Sequence, residues 1–315
     1  MGDTPQVGPQ GRGAVLQPST ARPVRNIGQW VAAVVVLLLG FLLARSLIIN
    51  PDMHWNVVAK YQFSNVILGG LWQTLLLTFG SMIIGLALGL ILALMRTAKN
   101  RVLNVTAGLY IWLFRGTPLL VQLLLWFNLA LLFPTLSIGI PFGPTFFSVP
   151  TNIAISALTA ALLALGLNEG AYMAEIFRAG FQSVDQGQRE AARTLGMSHG
   201  LTMRIIVLPQ SMRVIVPPTG NEVISMLKTT SLVYVISGNE LLTRAQQIYA
   251  VNFEVIALLI VASFWYLVLT TIASVIQYYI EQHYNRGSSA TTSRQSVMTQ
   301  IRMNLSIFRA RKQGA

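Results

Sequence analysis

Glu190-Ala191-Ala192-Arg193-Thr194-Leu195-Gly196, followed after nine residues by Ile206-Val207-Leu208-Pro209, is the stretch on which the fold of this chain turns. It lies in a polar segment, 178–213, of a chain that is otherwise strongly apolar. Asp185 reads as an N-cap for a helix through Arg189, Glu190, Ala191, Ala192 and Leu195. Gly196 is free to take positive φ and end that helix. Ser198 then caps a second helix through Leu201, Met203, Arg204 and Ile206, which Pro209 is expected to disrupt. The predicted unit is helix, glycine corner, helix, with a small Ala191–Ala192 face able to approach another surface closely. An ordinary surface connector accounts for the turn but not for the full combination of residue types and spacings.

Working outward, the composition places this unit between membrane segments. Of the 315 residues, 53% are apolar and only 10% charged, whereas soluble domains carry about a quarter charged. Apolar runs at 30–49, 66–95, 106–132, 152–177, 214–237 and 253–280 are each long enough to cross a hydrocarbon core of about 30 Å. Six spans put both ends on one side. Seventeen Lys and Arg flank the runs on that side, three on the other, and Arg115 and Lys228 lie within runs. The positive-inside rule therefore predicts that both termini are cytoplasmic. The net charge of +12 is thus spent on membrane topology and gives no reason to expect nucleic acid as a partner. Absence of cysteine excludes disulfides, thiolate metal sites and thiol nucleophiles, and no metal-ligand spacing joins His54, His199 and His283. No cleavable leader is expected, because the first apolar run is long enough to span.

The fold class expected is all-α: a polytopic membrane protein with six transmembrane helices. The organisation expected is a disordered segment 1–28, a transmembrane helix at 29–50, a membrane core at 65–283 containing the loop 178–213, and a basic tail at 287–315. The outer stretch 133–151, with four prolines, predicts tight turns. The outer loop 238–252, with Glu240, Arg244, Gln246 and Gln247, is either a receiving surface for a soluble protein or a plain connection.

Ionisable side chains inside spans are costly and are functional suspects. Arg115, Glu169 and Glu222 fall at similar depth, some ~12–15 Å from the inner ends at ~1.5 Å per residue, and Lys228 lies deeper. Pro118, in Gly116-Thr117-Pro118, has no N–H and predicts a break whose freed backbone groups line a cavity. Such a cavity suits an α-amino acid: Arg115, Thr117 and Gln122 for the carboxylate, with Glu169, Tyr172, Glu222, Lys228 and Thr229 nearby. The competing reading has these charges pair with one another and only fix helix packing. Glu175 and Arg178 are expected to form a salt bridge that orients the loop.

The Glu-Ala-Ala…Gly…Ile-x-Leu-Pro spacing resembles, at every position, the cytoplasmic signature of bacterial ABC importer permeases, the binding-protein-dependent inner-membrane components. Tyr110-Ile111-Trp112-Leu113-Phe114-Arg115-Gly116-Thr117-Pro118-Leu119-Leu120-Val121-Gln122 and Ala171-Tyr172-Met173-Ala174-Glu175-Ile176-Phe177-Arg178-Ala179-Gly180 are similar to segments of the polar amino acid subfamily. The resemblance covers about 65–283 and implies a five-helix core, which makes 29–50 an added N-terminal helix. It further implies a bacterial inner-membrane permease, acting as a dimer with an identical or related permease. Two copies of an ABC ATPase subunit would engage Glu190, Ala191, Ala192, Gly196, Leu208 and Pro209, and an extracytoplasmic solute-binding protein would deliver a polar amino acid. The chain has no phosphate-binding Gly-x-x-x-x-Gly-Lys-Ser/Thr loop, so no cofactor is expected on it; ATP and Mg would be held by the partner ATPase. Thr229 stands where members of the family often carry Asp, which favours neutral polar or acidic substrates over basic ones. An ion-coupled secondary amino acid transporter is the rival reading, and a non-transporting scaffold that recruits a soluble protein is a weaker one.

Overall fold

A computed structural model describes residues 27–140 and 144–285; the segment 1–26 and the basic tail lie outside the described residues. The chain divides into two units, residues 1–53 and 54–315. The first contains α1 (Ile27–Ile49), 23 residues with no charge but Arg45, followed by a 3-10 turn at Pro51–Met53. At ~1.5 Å per residue this helix is long enough to cross a bilayer.

The second unit opens with α2 (Trp55–Tyr61), α3 (Asn65–Thr97), α4 (Arg101–Gly116), α5 (Leu119–Phe127) and α6 (Leu129–Leu132). A hairpin of β1 (Thr135–Gly139) and β2 (Thr145–Pro150) leads through α7 (Thr151–Ala154) to α8 (Ala157–Gln182). Then come α9 (Gln186–Thr194), α10 (His199–Thr202), a π-turn at Met203–Val207 and α11 (Leu208–Thr229). A 3-10 turn at Thr230–Ile236, α12 (Leu241–Asn252) and α13 (Val255–Asn285) complete it. The protein is a helical, multi-pass membrane protein. Among the described residues, α1, α3, α8 and α13 are long and apolar enough to span, and α4 with α5 is a pair bent by 100° that passes the same test when the two are taken together. The expected run at 214–237 is helical, but α11 carries Arg213, Glu222, Lys228 and two internal prolines and does not meet that apolarity. Length and composition alone thus give four spans among the described residues, or five with the bent pair counted as one.

Within 133–151, where tight turns are expected, the chain also forms a hairpin, whose antiparallel register runs from Thr135 opposite Pro150 to Gly139 opposite Thr145, with an irregularity at Ile138/Gly139. Thr135, Ile138, Thr145, Phe146, Phe147 and Val149 are β-branched or aromatic, the side chains that extended backbone favours.

The core of the unit is the seam between α3 and α8. Ser64 and Ser156 cap the two helices through the amides of Ile67 and Thr159. Glycines make the seam narrow on both sides. A Cβ on Gly85 would sit 2.5 Å from Cγ of Glu169, and one on Gly89 2.4 Å from Cβ of Met173. Reciprocally, Gly166 and Gly170 of α8 receive the side chains of Ile84 and Leu88. Without a hydrophobic force between helices in lipid, such close backbone approach supplies the packing energy. Leu77, Met82, Leu165 and Met173 are buried along it and continue into Met226 and Val233.

At the opposite end from the polar loop, α12 packs against α3 and α13. Glu240, fully buried, caps α12 by accepting from the amides of Leu242 (2.8 Å) and Thr243 (2.6 Å), and also takes the Tyr266 hydroxyl (2.7 Å). Burial pushes its carboxyl up from the ordinary range, and these donors pull it back. Glu240 therefore fixes α12 in place and is not itself part of any exposed face of this loop.

Gly89→Val is expected to destabilise the protein by about 1–3 kcal/mol through overpacking, read as a lower unfolding midpoint in detergent. Gly69→Ala, where a Cβ meets nothing within 4 Å, is expected to be neutral or mildly stabilising.

Candidate functional site

Two groups of residues stand out: a polar cluster at the bend between α4 and α5, and the glycine-cornered loop at the end of α8.

The bend follows from Pro118. In an unbroken helix the Phe114 carbonyl would accept from residue 118, which has no N–H. The orphaned oxygen is taken instead by two amide side chains, Gln122 Nε2 at 2.9 Å and Asn168 Nδ2 at 2.8 Å. Gln122 Nε2 also donates to the Thr117 carbonyl (3.2 Å) and hydroxyl (2.8 Å), and Thr117 Oγ1 donates to the Leu113 carbonyl (2.9 Å). Asn168 Nδ2 closes the set by donating to Gln122 Oε1 at 3.3 Å. Gln122 and Asn168 are both buried. Thr117 and Gln122, expected to hold a ligand carboxylate, therefore commit their donors to mending the bend. Asn168 was missed by the sequence reading; a lone amide beside Glu169 in an apolar run was the available signal.

The charged members lie around this repair. The Arg115 guanidinium stands 5.1 Å from the ring centroid of Tyr172, joining the end of α4 to α8. Glu169 is 5% exposed, its stem lies against Gly85, and its Oε1 has no hydrogen-bond partner. Glu222, half-buried on α11, interacts electrostatically with both Arg115 and Glu169. Among the described residues, no ion pair within 4.0 Å involves Arg115, Glu169 or Glu222. The structure thus groups Arg115, Tyr172, Glu169 and Glu222. It does not group Lys228 or Thr229 with them: Lys228 is exposed about 9 Å further along α11, and the Thr229 hydroxyl donates to Ser225 of its own helix at 3.0 Å. Beneath the bend, Leu113, Phe114, Val121, Leu125 and Trp126 line an apolar cavity of about 340 Å³.

In the loop, Asp185 caps α9 through the Gly187 amide (2.8 Å). Gly196 has φ 75°. The amide of Gly196 reaches the Arg193 carbonyl (2.9 Å) and that of Met197 the Ala192 carbonyl (3.0 Å), the paired bonds of a Schellman ending. Ser198 caps α10 through Leu201 (3.3 Å). Glu175 and Arg178 form the expected salt bridge at 2.5 Å. Two expectations change. Ala192 is 1% exposed and packs inward, leaving Glu190 and Ala191 on the open face. Pro209 ends nothing: the π-turn at Met203–Val207, where the Leu208 amide reaches Met203, carries α10 into α11 with Pro209 in its first turn. A wider turn suits a residue that has no amide hydrogen to give. Phe181, Val184, Val207 and Ile215 anchor the loop against Ala93 of α3, while Leu195 (79% exposed), Leu201, Ile205 and Leu208 face outward.

Residues 85–286 match the family described as binding-protein-dependent transport system inner membrane component. An arginine transport system permease protein, ArgU, of Corynebacterium glutamicum is 44% identical, over 91% of this chain and 90% of its own length. An L-cystine transport system permease protein, TcyB, of Bacillus subtilis is 37% identical, over 76% of this chain and 95% of its own length. Among solved structures, an amino acid ABC transporter described with histidines superposes with a TM-score of 0.61 at 38% identity, covering 71% of this chain and 97% of that one. The MetNI methionine ABC transporter shares the fold, with a TM-score of 0.54 at 17% identity.

Replacing Asn168 by Leu removes one donor from the Phe114 carbonyl and exposes Gln122 Oε1 as an unpaired buried acceptor. The expected cost is about 1–3 kcal/mol, read as a lower unfolding midpoint, with Asn168→Gln closer to wild type than Asn168→Leu.

Proposed function

The chain belongs to the family of binding-protein-dependent transport system inner membrane components, and from that premise we propose that it is the permease subunit of an ABC importer carrying a polar amino acid across the bacterial inner membrane. The observation that carries the substrate class is the gathering of Arg115, Glu169 and Glu222 beside Tyr172 with no ion pair within 4.0 Å among them. A zwitterion supplies a partner for each sign: its carboxylate to Arg115, its ammonium to Glu169 and Glu222. Thr117, Gln122 and Asn168 act as positioning residues that hold Arg115 at the end of α4. Lys228 and Thr229 lie along α11 and act on the ligand only if access alternates past them.

In this reading the loop is the coupling element. Glu190, Ala191 and the outward Leu195, Leu201, Ile205 and Leu208 meet an ATPase subunit, two copies of which serve a permease pair. Ala192, Gly196 and Pro209 set the geometry behind that face. Both termini are cytoplasmic, by the distribution of Lys and Arg. A solute-binding protein delivers the substrate to the outer side. The charge of the substrate side chain is pulled two ways: Thr229 favours neutral or acidic amino acids, whereas a relative 44% identical is named for arginine.

Glu190→Lys and Gly196→Asp are expected to abolish uptake in reconstituted vesicles while leaving membrane insertion unchanged; normal uptake by either removes the coupling role. Transport by the purified chain in liposomes without ATPase or ATP would establish the ion-coupled alternative. Competition for uptake among labelled arginine, glutamine and glutamate fixes the side-chain class, and Thr229→Asp is expected to shift preference towards the basic substrate.

A further inference from the structure

A small concave site inside the loop is left unused by the coupling reading. Arg189, Arg193, His199, Thr202, Met203 and Val207 line a cavity of about 70 Å³ between α9, α10 and the π-turn. Its volume holds about two waters at roughly 30 Å³ each, the scale of one tetrahedral oxyanion and far below a nucleotide. Arg189 and Arg193 are four residues apart on α9, so their guanidinium groups rise from one face and repel each other. His199 faces them from across the Gly196 corner. Among the described residues neither arginine has an ion pair within 4.0 Å. Between residues 175 and 213 there are only Glu175, Asp185 and Glu190. Glu175 pairs with Arg178, Asp185 caps Gly187, and Glu190 takes the Gln186 amide. The level of the site is set by Arg189, whose guanidinium donates to the carbonyl of Phe181 in the last turn of α8. That turn is the inner end of the span Ala157–Gln182. The cavity therefore lies next to the end of a helix long and apolar enough to span.

We propose that Arg189, Arg193 and His199 form a receptor for a phosphate group, supplied by an anionic phospholipid headgroup of the inner leaflet. Guanidinium groups match the oxygens of a phosphodiester through paired hydrogen bonds, and basic residues at a span end are drawn to anionic lipid. Occupancy would relieve the Arg189–Arg193 repulsion and tie α9 to α10 across the glycine corner, so lipid composition would set how stiff the loop is. The proposal uses the inside placement of the loop given above, but a test in detergent has no sidedness and can fail independently of that placement.

The full chain, purified in a neutral detergent, is unfolded thermally with tryptophan fluorescence as the readout. Phosphatidylglycerol, diacylglycerol and inorganic phosphate are added separately at constant ionic strength. The expected result is a midpoint raised by several degrees with phosphatidylglycerol and unchanged with diacylglycerol. Arg193→Gln/His199→Gln is expected to lose most of that shift, and Arg193→Lys to keep part of it. A shift with inorganic phosphate and none with the lipid supports the phosphate receptor and overturns the lipid as its source. No shift with either, or the same shift in the double variant, overturns the site. A lipid shift that survives in the double variant, together with weakened co-purification of the ATPase subunit, assigns the pocket to an acidic protein side chain and overturns it as well.

Discussion

In hydrocarbon a backbone carbonyl without a donor has no water to turn to, and this constraint governs the centre of the molecule. Pro118 separates α4 from α5 and frees the Phe114 oxygen; two side-chain amides, Gln122 and Asn168, close the gap. The repair is more than local. Asn168 sits on α8 next to Glu169, so the helix that satisfies the broken backbone is the one that brings a carboxylate to the bend. Arg115, three residues before the proline, is held at the end of α4 within reach of Tyr172, one turn beyond Asn168. The polar cluster is a by-product of satisfying one carbonyl, and its members cannot be moved separately.

That arrangement needs α3 and α8 to be nearly in backbone contact. Gly85 leaves room for the stem of Glu169, and Gly89 for Met173. A larger residue at position 85 would displace the carboxylate as well as the helix. Packing and chemistry therefore share residues along this seam.

Much of this was legible in the sequence wherever the signal was local. The caps at Asp185 and Ser198 and the positive φ of Gly196 depend on residues within a few positions, and each is present. The apolar runs located the helices. What escaped depended on partners far along the chain. Asn168 acts on a carbonyl 54 residues away, and Glu240, which looked like a polar surface residue, reaches Tyr266 26 residues on and is sealed by the packing of α12. Pro209 was misread because a helix interior was compared with a helix end, while a π-turn offers a third possibility. The hairpin at 135–150 was hidden by the prolines around it. In the cluster itself, residue type identified Thr117 and Gln122 as polar and important, but only their geometry shows that their donors point into the backbone.

The π-turn at Met203–Val207 joins α10 to α11 without a break from His199 to Thr229, with Pro217 and Pro218 inside the second helix. One residue more than an α-turn is stored in the π-turn. Relaxation of that turn to ordinary helical pitch would advance everything beyond it by one residue, a swivel of about 100° at 3.6 residues per turn. Glu222 lies on the second helix. The loop and the carboxylate thus lie on one continuous helical path, and a twist at the glycine corner would reach Glu222 only through Pro217 and Pro218, where the missing amides let the helix give.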